Sequence, residues 1–206
     1  DEQLRQRQAL SVAIPGQNML NSTIAGIASI EGVTRYKVYD NDTNITDSNG
    51  IPSHSIAAVV EGGLDYDIAE QIYLRKGPGG GTYGTTSVNY TNDDGLPNVV
   101  KFSRPSYVNI NVDIKIKPNI GYTTNIADEI KISIENYILN LDIGYDVTIM
   151  GLLTAITAVV KNLAVPEFSV DIVNIARNEE PTVSKDIDIA FNEVAAVGIT
   201  RVIEVS

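Results

Sequence analysis

Val108–Lys117, VNINVDIKIK, alternates without a break. Val108, Ile110, Val112, Ile114 and Ile116 share one parity, and Asn109, Asn111, Asp113, Lys115 and Lys117 share the other. Successive side chains of a strand point to opposite faces, so the segment predicts a strand with one buried face and one wet face. The dry face needs a covering layer, and the residues downstream supply one. Thr124–Leu141 carries Ile126, Ile130, Ile134, Tyr137, Ile138 and Leu141 on one stripe at helical spacing. Thr148–Leu163 does the same with Ile149, Leu152, Leu153, Ile156, Val159, Val160 and Leu163, and Gly144 stands between the two helices as a stop. Phe168–Ala176, Asp186–Phe191 and Ile199–Val205 then read as strands.

Upstream of Val108 the pattern differs. Asp1–Leu10 is polar and rich in helix formers, and it stops before Pro15-Gly16. Asn18–Ile30 repeats Leu20, Ile24, Ile27 and Ile30 near the helical period and ends at Gly32. Val33–Tyr39 and Ser55–Glu61 predict strands, separated by the turn-rich stretch Asp40–Gly50, DNDTNITDSNG. Asp65–Lys76 predicts a helix, with Asp65, Asp67 and Glu70 early and Arg75 and Lys76 late, as the helix dipole favours. Gly77–Gly84, GPGGGTYG, reads as a flexible break. Thr85–Thr91 and Val99–Arg104 read as a hairpin turning at Asp94-Gly95.

The expected fold is therefore α+β, with helices packed on mainly antiparallel sheets in two small modules. The first spans 1–106 and carries a protruding hairpin at 83–105; the second spans 107–206. The hairpin and the glycine loop are expected to join them. In each half a helix leads into a strand that is followed by a returning strand, which suggests an internal repeat of element order.

Composition narrows the functional classes. The 206 residues include no Cys, so disulfides, thiolate metal sites and a cysteine nucleophile are excluded. The net charge of −11 repels phosphate backbones and anionic membrane surfaces, and it could steer a basic partner. No apolar run reaches the roughly 20 residues that a membrane-spanning helix needs. The start at Asp1, with no Met and no apolar leader, reads as the middle of a longer protein.

Each candidate for chemistry has a plainer structural reading. GPGGGTYG has no Lys after its last glycine, and it follows a helix and precedes a strand, so it does not fit a phosphate cradle or a dinucleotide fingerprint. His54, the sole His, sits in a turn beside Pro52, between Ser53 and Ser55; it reads as a loop residue rather than a catalytic base. The carboxylates Asp40, Asp42, Asp47, Asp93, Asp94, Glu179 and Glu180 read as solvated loop charge. An EF-hand begun at Asp40 would put Ile45 sixth and Ile51 twelfth, where Gly and Glu are required. Among the ten tyrosines, Tyr36, Tyr39, Tyr83, Tyr90 and Tyr107 lie on or near strands, where they either serve an interface or cap a sheet face. No catalytic, cofactor-binding or metal-binding residue is assigned, and no cofactor is expected.

Several phrases taken in order resemble a known family. They are EGVTRYKVYDN (Glu31–Asn41), GIPSHSIAAVVEGG (Gly50–Gly63), DIAEQIYLRKGPGGGTYG (Asp67–Gly84) and DGLPNVVKFSRP (Asp94–Pro105). Together they look like the baseplate J-like proteins of contractile-tailed phages, of the Mu-like and P2-like types. The likeness covers about Asp1–Val112; the remainder agrees in element order and length but has no diagnostic phrase. The resemblance implies a structural wedge component of a phage or prophage tail baseplate, assembled in the bacterial host cytoplasm. Such a component is not an enzyme and packs against other tail subunits and its own copies, with no nucleic acid and no membrane insertion. It also implies that the family's usual N-terminal region is missing here. The hairpin Thr85–Arg104 and the loop Asp40–Pro52 are the expected partner-facing surfaces. A carbohydrate-binding or hydrolytic module of a tail protein is the alternative, and the lack of Trp counts against it.

Overall fold

A computed structural model describes residues 19–162 and 164–205. The helix expected at Asp1–Leu10, the Pro15-Gly16 stop and the inward-facing Leu163 lie outside the described residues. The fold is α+β, with four helices among the described residues and three small, mainly antiparallel sheets. The chain divides into two compact units between Pro105 and Ser106.

The first unit contains α1 (Met19–Ala28), β1 (Val33–Asn41), β2 (Ser55–Gly62), α2 (Asp65–Arg75), β3 (Gly81–Tyr83), β4 (Thr86–Thr91) and β5 (Pro97–Phe102). β1 pairs antiparallel with β2, with Tyr36 opposite Val60 and Val38 opposite Ala58. β2 is the central strand, and Ala57, Ala58, Val59 and Val60 are all buried. This is why its sequence is continuously apolar rather than alternating. Ile27, Val33, Ile68, Ile72, Val100 and Phe102 close the core around it.

Two features of this unit depart from the expectation. The glycine stretch is not merely a break, because Gly81–Tyr83 forms β3 and pairs parallel with Ser55–Ala57. The hairpin β4–β5 packs into its own unit rather than protruding from it. Its inner face, Tyr90, Val100 and Phe102, is buried in the first unit's own core. Three inward side chains of that size bury too much apolar surface to be left in water. The glycine loop likewise lies inside the first unit.

The second unit contains β6 (Ser106–Pro118), α3 (Thr124–Leu139), α4 (Ile149–Thr157), β7 (Phe168–Arg177) and β8 (Glu193–Glu204). β6 is central, antiparallel to β7 and parallel to β8. Val108, Ile110, Val112, Ile114 and Ile116 are buried as the alternation requires. They pack with Ile126, Ile130, Ile134 and Ile138 of α3 and with Leu152 and Ile156 of α4.

Four expectations are corrected here. α4 ends at Thr157 rather than Leu163. Val159 and Val160 bond to Ile156 and Thr157, three residues back, in a tightened last turn; a β-branched pair resists continuing the helix. Asp186–Phe191 is not a strand. Only Ile187 bridges, to Val147, while Asp186 and Asp146 accept the backbone N–H groups of Ile149 and Ile189 at 2.7 and 2.8 Å. The internal repeat also fails: β1 pairs directly with its returning strand β2, whereas β6 separates β7 from β8. The last strand is longer than read, starting at Glu193, with an irregularity in register after Val197. There the Ile199 N–H is taken by the Asn111 side chain at 2.8 Å.

Candidate functional site

The residues that carry the family resemblance converge in the first unit. Arg104 donates to the carbonyls of Val60 (3.0 Å), Gly62 and Gly63 (2.9 Å) and pairs with Asp65. One guanidinium thus ties the end of the hairpin to the end of β2 and the start of α2. A fork of fixed N–H donors suits this task, and a lysine ammonium does not. Gly84 lies against the backbone of Phe102, where a Cβ would overlap the Phe102 carbonyl. Gly62 has φ +73°, and a side chain there would strike the carbonyl of Gly32. Ser103 bridges Val59, exchanging hydrogen bonds of 2.8 and 2.9 Å with Ala58 and Val60.

The loop Asp40–Pro52 is built around buried Asn41. Its amide donates to the carbonyls of Ile45 (2.8 Å), Ile51 (2.7 Å) and Pro52 (3.1 Å), and its oxygen accepts from Thr43. Asp47 accepts the N–H groups of Asn49 and Ile51, an Asx turn rather than a free carboxylate. Ile51 is fully buried beneath, while Ile45 is 73% exposed.

An open groove of about 430 Å³ runs beside the glycine loop, lined by Asp40, Asp42, His54, Ile56 and Lys76 among others. His54, in the left-handed region at φ 51°, hydrogen-bonds Asn44 at 2.9 Å, as a locally bonded loop residue. Lys76 donates to the Gly80 carbonyl at 2.9 Å and lies over the Tyr73 ring. The groove brings two exposed carboxylates and the histidine to one surface, with each polar group other than Asp40 and Asp42 engaged locally. Asp93 and Asp94 sit on the hairpin turn, and Glu179 and Glu180 on the turn after β7, all exposed. Among the described residues no cluster of His, Asp and Glu suits a metal ion, and no helix is long and apolar enough to cross a membrane.

Of the tyrosines singled out by sequence, Tyr90 is buried and Tyr36 packs on the core; Tyr39 and Tyr83 are half-buried, and Tyr107 is exposed. The grouping that matters was not among them. Tyr66 and Tyr73 on α2 flank Tyr90 on β4, with ring centroids 5.6 and 4.9 Å from it. Their seven-residue spacing puts both on one helix side, and that signal was available in the sequence. Burial, together with the nearby charges of Glu70 and Asp93, raises the Tyr90 hydroxyl above its ordinary pKa.

In the second unit two polar pairs have a clear electrostatic role. Tyr122 donates to Glu204 at 2.8 Å; burial first, and then that bond and the charge of Glu204, push its pKa up to about 12. Burial alone would raise Glu193. The hydrogen bond from Arg177, the Ala190 N–H and the Arg177 charge together outweigh it and hold the carboxyl below its usual value.

No family model matches this chain, and no curated protein matches it.

Proposed function

We propose that this chain is a non-catalytic structural component of a contractile-tail baseplate, a wedge protein of the J-like type, working through protein–protein contacts in the assembled particle. The observation that supports this reading is the mutual dependence of the resembling phrases. The Arg104 of FSRP grips the Gly62-Gly63 of VVEGG, Gly84 of TYG rests on Phe102, and Ser55 of HSI sets the register of β3. Scattered chance likenesses have no reason to fall on residues that hold one another. The phrases are consumed in packing, which suits a protein whose function lies in its surfaces. The hairpin turn and the Asp40–Pro52 loop are rigidly built and exposed at their tips, as partner-facing elements need to be.

The test is to express the chain with an affinity tag in a host that makes contractile particles from the same genome, and to cross-link the purified tails. Links from residues 42–52 or 91–97 to another tail subunit are expected. Absence of the chain from intact tails overturns the reading; its presence with links only from other surfaces overturns the assignment of these two.

A further inference from the structure

The groove beside the glycine loop has a preformed shape and an uncompensated rim. Its floor is Ile56, which stands opposite Asp40 in the β1–β2 register. Directly opposed strand residues share a face, so Asp40 and Ile56 project to the same side of the sheet. Asn41 turns the other way, buried and tied to three carbonyls. Asp42 follows on the Asp40 side, about 7 Å further along the chain. Met19 and Leu20 of α1 form one wall, and the glycine loop forms the other, with Pro78 at its rim.

Bonds within the protein hold that second wall in place. Gly80 donates its N–H to the Gly77 carbonyl at 3.0 Å, and Gly81 donates to the His54 carbonyl at 2.9 Å. Lys76 donates to the Gly80 carbonyl at 2.9 Å. Gly77 lies so close to Met19 that a Cβ there would come within 2.8 Å of the Met19 sulfur. A groove fixed in this way needs little reordering to receive a ligand.

Charge decides what it receives. Asp40 and Asp42 are exposed, and neither carboxylate makes an ion pair or a side-chain hydrogen bond among the described residues. Among those residues Lys76 is the one cation lining the groove, and its ammonium is turned to Gly80 and the Tyr73 ring. The floor and walls are apolar where Ile56, Met19, Leu20 and Pro78 line them.

We propose that this groove docks an extended segment of a partner protein carrying two lysines separated by one residue. In an extended chain such lysines project to one side about 7 Å apart, which matches the spacing of the two carboxylates. Their methylene stems lie along Ile56, Met19 and Pro78, and their ammonium heads meet Asp40 and Asp42. The net charge of −11 draws a basic surface toward the chain, and the groove gives that surface a register. Only the choice of a protein partner rests on the proposed function, and failure on the isolated chain leaves the tail assay untouched.

The experiment titrates the isotope-labelled chain with blocked Lys-Ala-Lys and follows amide shifts by NMR. Blocked Lys-Lys-Ala keeps the charge and breaks the spacing. A third peptide replaces both lysines by 2,4-diaminobutyrate, which keeps the charge and shortens each stem. Shifts are expected at Asp40, Asp42, Ile56 and residues 77–81, with both comparison peptides weaker by a few-fold. Asp40→Asn/Asp42→Asn is expected to weaken Lys-Ala-Lys binding by about tenfold or more. Met19→Gln, at an exposed position, should weaken it by a few-fold and narrow the preference for the longer stem. Glu129→Gln/Glu179→Gln removes the same charge elsewhere and should leave affinity unchanged. Shifts spread over the acidic surface, equal binding of the three peptides, or equal weakening by the control pair overturns the proposal. Arg5→Gln/Arg7→Gln should also leave affinity unchanged; a gain would assign the groove to the chain's own residues before Met19 and overturn it.

Discussion

The two units bury comparable apolar layers but hold their shape by different means. In the second unit the core is a field of isoleucines, Ile110, Ile114, Ile116, Ile130, Ile134 and Ile138, each of which packs through shape and hydrophobicity alone. In the first unit the decisive contacts are made by residues with no substitute: Gly84 against Phe102, Gly62 against Gly32, and Arg104 across three carbonyls. Aliphatic cores tolerate exchange when volume is kept, while close backbone approaches and multi-acceptor guanidinium clamps do not. The first unit is therefore expected to tolerate fewer exchanges at these positions than the second does in its isoleucine core.

Four substitutions or conditions test that contrast. Gly84→Ala should have the largest effect, about 4 kcal/mol against the first unit, because backbone cannot retreat from the new methyl group. Hydrogen exchange should show protection lost across 33–105 and kept across 106–205; loss in both breaks the contrast. Arg104→Lys should cost about 2 kcal/mol, as one ammonium cannot serve Val60, Gly62, Gly63 and Asp65 together. Urea unfolding of the variant measures it, and a change near zero would mean that the clamp is dispensable. Ile134→Val, at a fully buried position, should cost only about 1 kcal/mol. A loss as large as that of Arg104→Lys would show the second core to be as exacting as the first.

The smallest effect is expected from acid. The folded-state pKa of Glu193 lies below its unfolded value of 4.5, so the stability it adds is complete above pH 4.5 and is lost as pH falls through the folded value. Arg177→Gln should therefore lower the urea midpoint at pH 7 and lower it by less at pH 3. An equal deficit at both pH values would show that the ion pair does not carry the effect.

Alternation made β6 legible at once, since Val108 to Ile116 has a single reading and the helical stripe of α3 follows from it. β3 was hidden because Gly81–Tyr83 has no pattern of its own; a three-residue parallel strand exists only because β2 offers an edge. Asp186–Phe191 alternates like a strand, but local carboxylates satisfy the backbone first, and sequence periodicity carries no information about that competition. The hairpin was legible as a hairpin. Its burial was not, because Tyr90 and Phe102 look the same whether they face a partner or a core. The tyrosine cluster was half legible: spacing places Tyr66 with Tyr73, but only the fold brings Tyr90 between them.

Along the edge of β2, Gly81–Tyr83 and then Ser103 pair in the same parallel sense, at Ser55–Ala57 and at Val59. Topologically they are one strand interrupted by an excursion, and the two mouths of that excursion, Gly84 and Phe102, touch. Residues between them can therefore change in number without altering where the strand resumes. The turn at Gly95, where a side chain would meet nothing within 4 Å, is a natural splice point for an inserted peptide or fluorophore. The same geometry means that the hairpin's length can drift while the sheet that carries it stays fixed.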